Sequence, residues 1–233
     1  HDLKNGQGLI DLVEAVCAAA PECRVRLGSL EPRTVTEDFC RRAAALPNLC
    51  PHFHLSMQSG CDSVLARMNR KYDSERYYES VRLLNEAYET PGITTDLIVG
   101  FPGETEEEFQ QTLAFIRRCA FSAMHIFPYS RRPGTPADGM PGQILNSVKE
   151  ERAHRAQQAA LEMEAAYLDR WVGRTVPVLF EEERDGLWRG HTTRYSEVAA
   201  PSGENLHNQL RQVYITGRAG NILQGELCEG QEK

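Results

Sequence analysis

A short β-rich run in the first third of the chain carries polar side chains at every second position. His54, Ser56 and Gln58 alternate with other residues between positions 52 and 58. In a strand, such alternation directs the three side chains to one face. Polar groups directed into a protein interior are costly to bury unless they bind a partner. The spacing therefore predicts a strand face that binds a polar ligand.

Two other segments combine a β-rich run with a glycine. Gly28 precedes Ser29 and Glu31, which places a carboxylate where a strand ends. A strand-to-helix turn with a solvated Glu31 is an equally good interpretation. Ile98 and Gly100 precede a Pro-Gly pair and a helix start, and glycine there lets a flat ligand lie against the backbone, with helix N–H groups nearby. Taken alone, such a junction is common in α/β proteins.

Two further segments carry reactive or charged groups. Arg131 and Arg132 follow the fourth β-rich run, and adjacent guanidinium groups at a strand end suit a phosphate or a carboxylate. Surface charge is the alternative interpretation. Cys61 offers a thiol, but no His or Asp arrangement can be assigned from the sequence to activate it. The sequence therefore favours a thiol at a helix start over a nucleophile.

Composition narrows the class of protein. The seven cysteines have no CxxC or CxxxCxxC spacing, which argues against a disulfide framework and predicts no metal site. The net charge of -7 argues against an extended basic surface for nucleic acid, so any RNA contact is expected to be local. No apolar run is long enough to span a membrane and no signal pattern is present, so a cytoplasmic protein is expected. The missing initial Met suggests a chain cut from a longer one.

Alternating periodicities up to about residue 128 predict the elements that position these residues. Apolar residues three and four apart predict helices at 9–20, 36–46, 73–88 and 105–119. β-rich runs predict strands at 24–29, 51–58, 93–100 and 123–127. Thr105 and Glu108 have the spacing of a capping box. This order predicts an α/β fold whose parallel sheet belongs to a barrel or a longer open sheet. Its open edges predict self-association.

From about residue 143 the chain has a different pattern, with one long helix followed by short β-rich runs. A long helix is predicted at 143–170 from an apolar stripe, which comprises Ile144, Val148, Ala156, Ala159, Met163 and Tyr167. Short β-rich runs follow at 175–182, 187–192, 196–200, 212–218 and 222–228. About five short strands with tight turns predict a small antiparallel barrel of the OB-like kind. The predicted regions are 1–140, 141–171 and 172–233.

Taken together, the strand ends resemble the methylthiotransferase branch of the radical S-adenosylmethionine (AdoMet) superfamily. The segments are RLGSLEP, HFHLSMQSGCDSVLARMNRKY, ITTDLIVGFPGETEEEF and HIFPYSRRPGTPA. The tail from VGRTVPVLFEEE through DGLWRGHTTRY to VYITGRAGNILQGEL is similar to the TRAM domain of that family. RLGSLEP and FPYSRRPGTPA look closest to the enzymes that methylthiolate threonylcarbamoyl-adenosine beside the anticodon.

The resemblance implies a partial (βα) barrel of about four βα units, followed by a small OB-like TRAM barrel. It implies a parent enzyme that cleaves AdoMet at one 4Fe-4S cluster, takes sulfur from a second, and binds the anticodon loop of tRNA. The CxxxCxxC triad is expected upstream of His1, so neither a cluster nor catalysis is expected of this chain alone. The alternatives are a sister enzyme acting on isopentenyl-adenosine or on a ribosomal protein, and a non-catalytic RNA-binding or assembly module.

The same resemblance assigns residues to the AdoMet site. Ile98 and Gly100 are expected at the adenine, and Gln58 at the ribose or methionine part. The lesser candidates are His54 and Ser56 beside Gln58, Ser29 and Glu31 at the same mouth, and Arg131 or Arg132 at the AdoMet carboxylate or the tRNA backbone.

Barrels of the OB-like kind bind looped RNA through cations and stacking side chains. The RNA-binding candidates in the tail are Arg174, Arg189, His191, Arg194 and Tyr195, with Trp188 assigned to the core. A solvated acidic loop is the alternative, because Glu181, Glu182, Glu183 and Asp185 lie in the same stretch.

Overall fold

The computed structural model describes residues 6–228, so the outermost positions of the predicted regions, 1–5 and 229–233, lie outside the described residues. A parallel sheet of four strands forms the first part: β1 (Ser29–Leu30), β2 (His52–Leu55), β3 (Gly92–Val99) and β4 (Ala123–Pro128). The strands are neighbours in chain order and all run in one direction. The predicted α/β fold with a parallel sheet is confirmed.

Five helices belong to this part: α1 (Leu9–Ala19), α2 (Glu37–Ala44), α3 (Asp62–Arg67), α4 (Ser74–Ala87) and α5 (Glu106–Cys119). The Thr36, Asp73 and Thr105 side chains each accept a hydrogen bond from a backbone N–H of the first turn of α2, α4 and α5. The predicted capping box of Thr105 and Glu108 is present, and it fixes where α5 begins after β3. Cys61 is the N-cap residue of α3, so the predicted thiol at a helix start is confirmed.

Strand β3 explains how the sheet divides its two faces. Thr95, Leu97 and Val99 are buried, while the alternate side chains of Thr94, Asp96 and Ile98 are only half-buried. The buried set belongs to the face that the helices cover. The half-buried set therefore lies on the opposite face, which is the face that the sequence assigned to ligand binding.

The predicted first strand is wrong for most of its length. Only Ser29 and Leu30 pair with β2, and Val25 makes an isolated bridge to Leu49. Beside this bridge, the Arg24 guanidinium donates to the carbonyls of Pro177 and His191 in the second part of the molecule.

The second part is a closed barrel of five strands: β5 (Thr175–Arg184), β6 (Leu187–Thr192), β7 (Glu197–Ala200), β8 (Leu210–Ala219) and β9 (Ile222–Leu227). The predicted barrel is confirmed, but it is not purely antiparallel, since β7 and β9 pair in parallel. A closed ring with an odd number of strands cannot alternate direction throughout, so one parallel pair is unavoidable. Trp188 is buried in the barrel core, as expected.

Helix α6 (Asn146–Asp169) joins the two parts. Ala156, Ala159 and Ala160 of α6 pack in the core of the α/β part, whereas Tyr167 and Leu168 pack in the core of the barrel. No helix in residues 6–228 has the length and apolar character needed to cross a membrane.

The predicted limits of this helix were too wide, because Gln143 instead donates side-chain hydrogen bonds to the carbonyls of Ala137 and Met140. Ile144 therefore lies outside α6. The predicted stripe also missed two buried members that are charged, Lys149 and Arg152.

Candidate functional site

A row of three side chains forms at the carboxyl ends of the strands. After β2 ends, Gln58 continues along β3, where its N–H donates to the Asp96 carbonyl (2.9 Å) and its own carbonyl accepts from the Ile98 N–H (2.9 Å). Ile98 is in register with Phe127 of β4. Partners in register on parallel strands share a face. Ile98 and Phe127 therefore share one face. Gln58 bridges Leu97 of β3, and all three side chains line one cavity at this edge of the sheet.

Gln58 holds a backbone conformation that favours glycine. Its φ is +68°, in the left-handed region where a side chain is sterically disfavoured. Such strain persists only where the surroundings enforce it, and it concentrates at binding sites. The two hydrogen bonds to β3 supply that enforcement here. The strained backbone makes Gln58 a candidate ligand-contacting residue.

A cavity of about 540 Å³ lies against this row. Besides Gln58, Ile98 and Phe127, its lining includes Asp96, Pro128, Tyr129, Ser130, Arg132, Thr135 and Ala137. Phe127 is 51% exposed although it lies within the sheet, so an apolar ring faces the cavity uncovered. The cavity thus combines an aromatic and aliphatic wall with an amide, a carboxylate and a guanidinium. That combination is typical of small-molecule and cofactor sites.

The two adjacent arginines have different surroundings. Arg131 pairs with Asp138, with 2.8 Å between Nε and Oδ1, and donates a second hydrogen bond to the Asp138 carbonyl. Arg132 lines the cavity, and no carboxylate of residues 6–228 forms an ion pair with its guanidinium. The sequence could not separate these two residues. Arg132 is the one placed to meet a ligand in the cavity.

Gly100 follows Ile98, but a protein side chain occupies the space beside it. Its φ is +72°, and a Cβ added there would collide with Cγ of Lys149. The Gly100 N–H donates to Oε1 of Glu104 (3.0 Å). The glycine is thus required for close packing against α6, and its predicted contact with adenine stays a prediction.

The structure separates the other predicted AdoMet residues. Ser29 and His54 line a second cavity at the amino-terminal side of the sheet. Glu31 is exposed and pairs with Arg33 at 2.7 Å, in line with the solvated alternative. Ser56 lines neither cavity, and its N–H donates to the Leu30 carbonyl. Of the expected set, Gln58, Ile98 and Arg132 line the cavity at the carboxyl ends of the strands.

The second cavity, of about 400 Å³, lies between the sheet and the β-barrel. His54 contacts Oγ1 of Thr94 at 3.0 Å and Oδ2 of Asp96 at 3.3 Å. His52 is buried, with its Nδ1 unpartnered within the described residues. Burial, with a contribution from the nearby Arg26, lowers the pKa of His52 to about 4. His52 is therefore neutral at physiological pH.

Arg194 holds the two parts of the molecule together. Its guanidinium donates to the carbonyls of Thr90 (2.8 Å) and Glu89 (2.9 Å) and lies over the ring of Trp171. Burial lowers its pKa. A Cβ on Gly92 would lie 2.5 Å from the Arg194 carbonyl, so the backbones also meet closely. This candidate RNA contact has a structural role that the sequence did not reveal.

The Tyr195 ring has a charged group and a ring against it. The Arg26 guanidinium carbon lies 3.8 Å from the ring centroid, and the His191 ring stacks on it at 4.5 Å with an angle of 15°. One face of a phenol ring accommodates only one group at such distances, so both faces are occupied. Tyr195 is 48% exposed at its edge. Base stacking on it requires that Arg26 or His191 move away.

The remaining RNA-binding candidates also have partners. Arg174 pairs with Glu89 at 2.9 Å, yet half of its side chain is exposed. Arg189 lies 3.5 Å from Glu197 and is mostly covered. His191 contacts Glu181 through Nδ1 at 3.2 Å. The predicted RNA contacts of these residues stay predictions.

Sequence reasoning missed several residues of the cavity. Asp96 and Phe127 escaped notice, although each is separated by one residue from a position on the same face, Ile98 and His125 respectively. Period-two alternation was therefore a usable signal for both. No sequence signal identified Lys149, because a lysine on an amphipathic helix is usually solvated.

The iron-sulfur cluster of the implied family does not fit the described residues. No group of three His, Cys, Asp or Glu within residues 6–228 is arranged to hold a metal. Of the seven cysteines, Cys23 and Cys228 are exposed and the other five are buried. A cluster needs several thiolates around one point.

Comparisons with known proteins agree with this fold. Residues 6–116 match the model of the radical SAM superfamily. Among solved structures, the Escherichia coli coproporphyrinogen III oxidase HemN, a radical SAM enzyme, superposes with a TM-score of 0.55 at 17% identity. That match covers 67% of this chain and 37% of HemN, and it supports the fold alone. Both matches support a radical SAM fold for the α/β part of the chain.

Curated relatives narrow the family. A tRNA-2-methylthio-N(6)-dimethylallyladenosine synthase of Maricaulis maris is 36% identical over 97% of this chain and 50% of its own length. The threonylcarbamoyladenosine tRNA methylthiotransferase MtaB of Bacillus subtilis is 34% identical over 88% of this chain and 49% of its own length. The MtaB of Thermotoga maritima is 40% identical over 76% of this chain and 41% of its own length. The chain belongs to the tRNA methylthiotransferase family, and it spans about half the length of these relatives.

Proposed function

We propose that this chain is part of a tRNA methylthiotransferase and contributes one wall of its AdoMet site together with an RNA-contacting β-barrel. The observation that carries the proposal is the row of Gln58, Ile98 and Phe127 against one cavity at the carboxyl ends of the strands. Reactive sites of βα barrels lie at this edge. Family membership supplies the chemistry that such a cavity serves.

The residues present fit an adenosyl group. The exposed ring of Phe127 and the side chain of Ile98 offer apolar surface to a purine. The Gln58 amide can hydrogen-bond to ribose hydroxyls or to the methionine amine and carboxylate. Arg132 offers a positive charge to a carboxylate or an RNA phosphate. Bound AdoMet supplies radical chemistry by reductive cleavage, while these side chains orient it and exclude water.

We propose threonylcarbamoyl-adenosine beside the anticodon as the substrate, on the resemblance of the RLGSLEP and FPYSRRPGTPA segments. Relatives named for dimethylallyladenosine are about as similar, so this part needs its own test. In the parent, the β-barrel meets the RNA as a TRAM domain. RNA phosphates would replace the exposed carboxylate partners of Arg174 and His191, which are Glu89 and Glu181.

Titration of the chain with AdoMet, followed by calorimetry, tests the cofactor part. We expect Gln58→Gly to weaken binding about tenfold, the value of one good hydrogen bond to a charged ligand. Glycine relieves the strain at φ +68°, so the melting temperature should stay the same or rise. Asn208→Gly is the matched control, because Asn208 also has a positive φ (+58°) but lies in a loop of the β-barrel. Absence of AdoMet binding by both the unaltered chain and the reconstituted parent overturns the cofactor assignment.

The substrate needs the parent protein with its upstream region, reconstituted with iron and sulfide. It is incubated with tRNAs that carry either threonylcarbamoyl-adenosine or dimethylallyl-adenosine, and the nucleosides are analysed by mass spectrometry. A methylthio group on the first alone supports the proposal. Modification of the second alone, or of neither, overturns it.

A further inference from the structure

Helix α6 buries two cations, although lysine and arginine are rarely buried unless paired. Lys149 is 6% exposed and Arg152 is 4% exposed. Both side chains reach backbone at the carboxyl ends of strands of the parallel sheet, Lys149 at β4 and Arg152 beyond β3. Desolvating two charges is costly. Helix packing alone does not explain why α6 carries cations rather than apolar residues at these two positions.

Arg152 closes the loop that follows β3. Its Nη1 donates to Oε1 of Glu104 (2.7 Å) and to the Glu104 carbonyl (3.0 Å). The same Oε1 accepts the Gly100 N–H at 3.0 Å. Burial raises the pKa of Glu104, and the Gly100 N–H and Arg152 counteract that rise. The loop from residue 100 to 104 is thereby tied to α6 through one carboxylate.

Lys149 ties the same helix to the end of β4. Its Nζ donates to the Tyr129 carbonyl (3.0 Å), while the Tyr129 N–H donates to the Val99 carbonyl (2.8 Å). The methylene chain of Lys149 fills the space beside Gly100. One side chain therefore contacts the residue after β3 and the residue after β4 together.

We propose that Lys149 and Arg152 are positioning residues, which set the spacing between the ends of β3 and β4 and thereby the shape of the Gln58 cavity. Ile98 and Phe127, the apolar wall of that cavity, lie on these two strands within two residues of the groups that α6 holds. This inference rests on the proposed AdoMet site. Neither cation lines the cavity itself.

A purely structural role makes a different prediction. If the two cations only stabilise the fold, their loss lowers the melting temperature but leaves the affinity of the folded chain for AdoMet unchanged. If they position the strand ends, the affinity falls at temperatures where every variant is folded. Amide hydrogen exchange at residues 99–103 and 128–130 reports the same loosening without any ligand.

The experiment compares Lys149→Met and the double variant Glu104→Gln/Arg152→Met with the unaltered chain. Lys149→Met keeps the aliphatic length and removes the ammonium group. The double variant removes both charges and leaves no buried charge unpaired. Arg155→Met is the matched control, because Arg155 lies on the same helix but pairs with Glu106 and Glu151.

We expect Lys149→Met to weaken AdoMet binding about tenfold and to speed exchange in both segments, with Arg155→Met unchanged in both measurements. Unchanged affinity in folded Lys149→Met and in the folded double variant overturns the positioning role and leaves the proposed function intact. If Lys149→Met does not fold, the double variant decides alone. Failure of the unaltered chain to bind AdoMet overturns the proposed function, and this inference with it.

Discussion

Cations hold both ends of the parallel sheet, and the two ends differ in whether the arginine that lines the adjoining cavity already has partners. At the carboxyl end, Lys149 and Arg152 bind the backbone around the strand ends and leave a cavity with Arg132 at its wall. At the amino end, Arg194 of the β-barrel binds the Thr90 and Glu89 carbonyls. There, a cavity of about 400 Å³ remains between the sheet and the β-barrel, and Arg194 and Tyr195 are among the residues that line it.

A cation that follows a strand, or that belongs to an RNA-binding type of barrel, does not necessarily contact a ligand. A guanidinium that already donates to two carbonyls has fewer donors left for a phosphate. The charge available to a ligand depends on which carbonyls and carboxylates lie within reach. Arg132 is available in this sense, and Arg194 is largely committed.

Removing the buried Arg152 cation at the carboxyl end of the sheet should have the largest effect on the free energy of unfolding. Arg152→Met leaves the Glu104 carboxylate buried without its cation, and we expect the free energy of unfolding to fall by about 3–5 kcal/mol. Urea denaturation measures this change. Adding Glu104→Gln to Arg152→Met should recover a large part of the loss, because the unpaired charge disappears. A double variant no more stable than the single one contradicts this account.

Removing the Arg194 guanidinium at the amino end of the sheet should lower the free energy of unfolding by less. Arg194→Ala removes two hydrogen bonds from a charged group and the contact with the Trp171 ring. We expect a loss of about 3 kcal/mol and increased proteolysis near residue 90, where the two parts separate. Arg184→Ala is the control, because Arg184 is exposed and pairs only with Glu182 of its own strand. Resistance to proteolysis equal to that of the unaltered chain argues against Arg194 as the link.

Local features of these two ends could be predicted from the sequence, and long-range contacts could not. The junction from β3 through Gly100 to the cap at Thr105 is local, so alternation, glycine and capping spacing predicted it correctly. The commitment of Arg194 to the Glu89 and Thr90 carbonyls joins segments about a hundred residues apart in the chain, and no local pattern encodes such a contact. The burial of Lys149 could not be predicted either, because its acceptor is the backbone carbonyl of Tyr129, which no residue type identifies.

The smallest expected effect concerns His52, which lines the cavity at the amino end. Burial lowers its pKa to about 4 from 6.5, so the unfolded chain binds more protons than the folded chain between these two values. The free energy of unfolding should therefore fall as pH drops from about 6.5 to about 4, because protonation of His52 favours the unfolded chain. The shift sets an upper limit of about 3 kcal/mol, and water in the adjoining cavity should reduce the loss to about 2 kcal/mol.

Urea denaturation across this pH range tests the effect with His52→Gln, which should flatten the slope, and with His154→Gln, an exposed control on α6, which should retain it. Glu108 allows the contribution to be separated from that of acidic groups. Its pKa is lowered to about 2, chiefly by Arg67, so its share of stability is lost only below its unfolded value of about 4.5. A slope that His52→Gln leaves unchanged between pH 6.5 and 5 would assign the acid sensitivity to other groups. The amino-end cavity would then be hydrated enough to accept a charged imidazolium, and the two ends of the sheet would be alike in accepting a charged group.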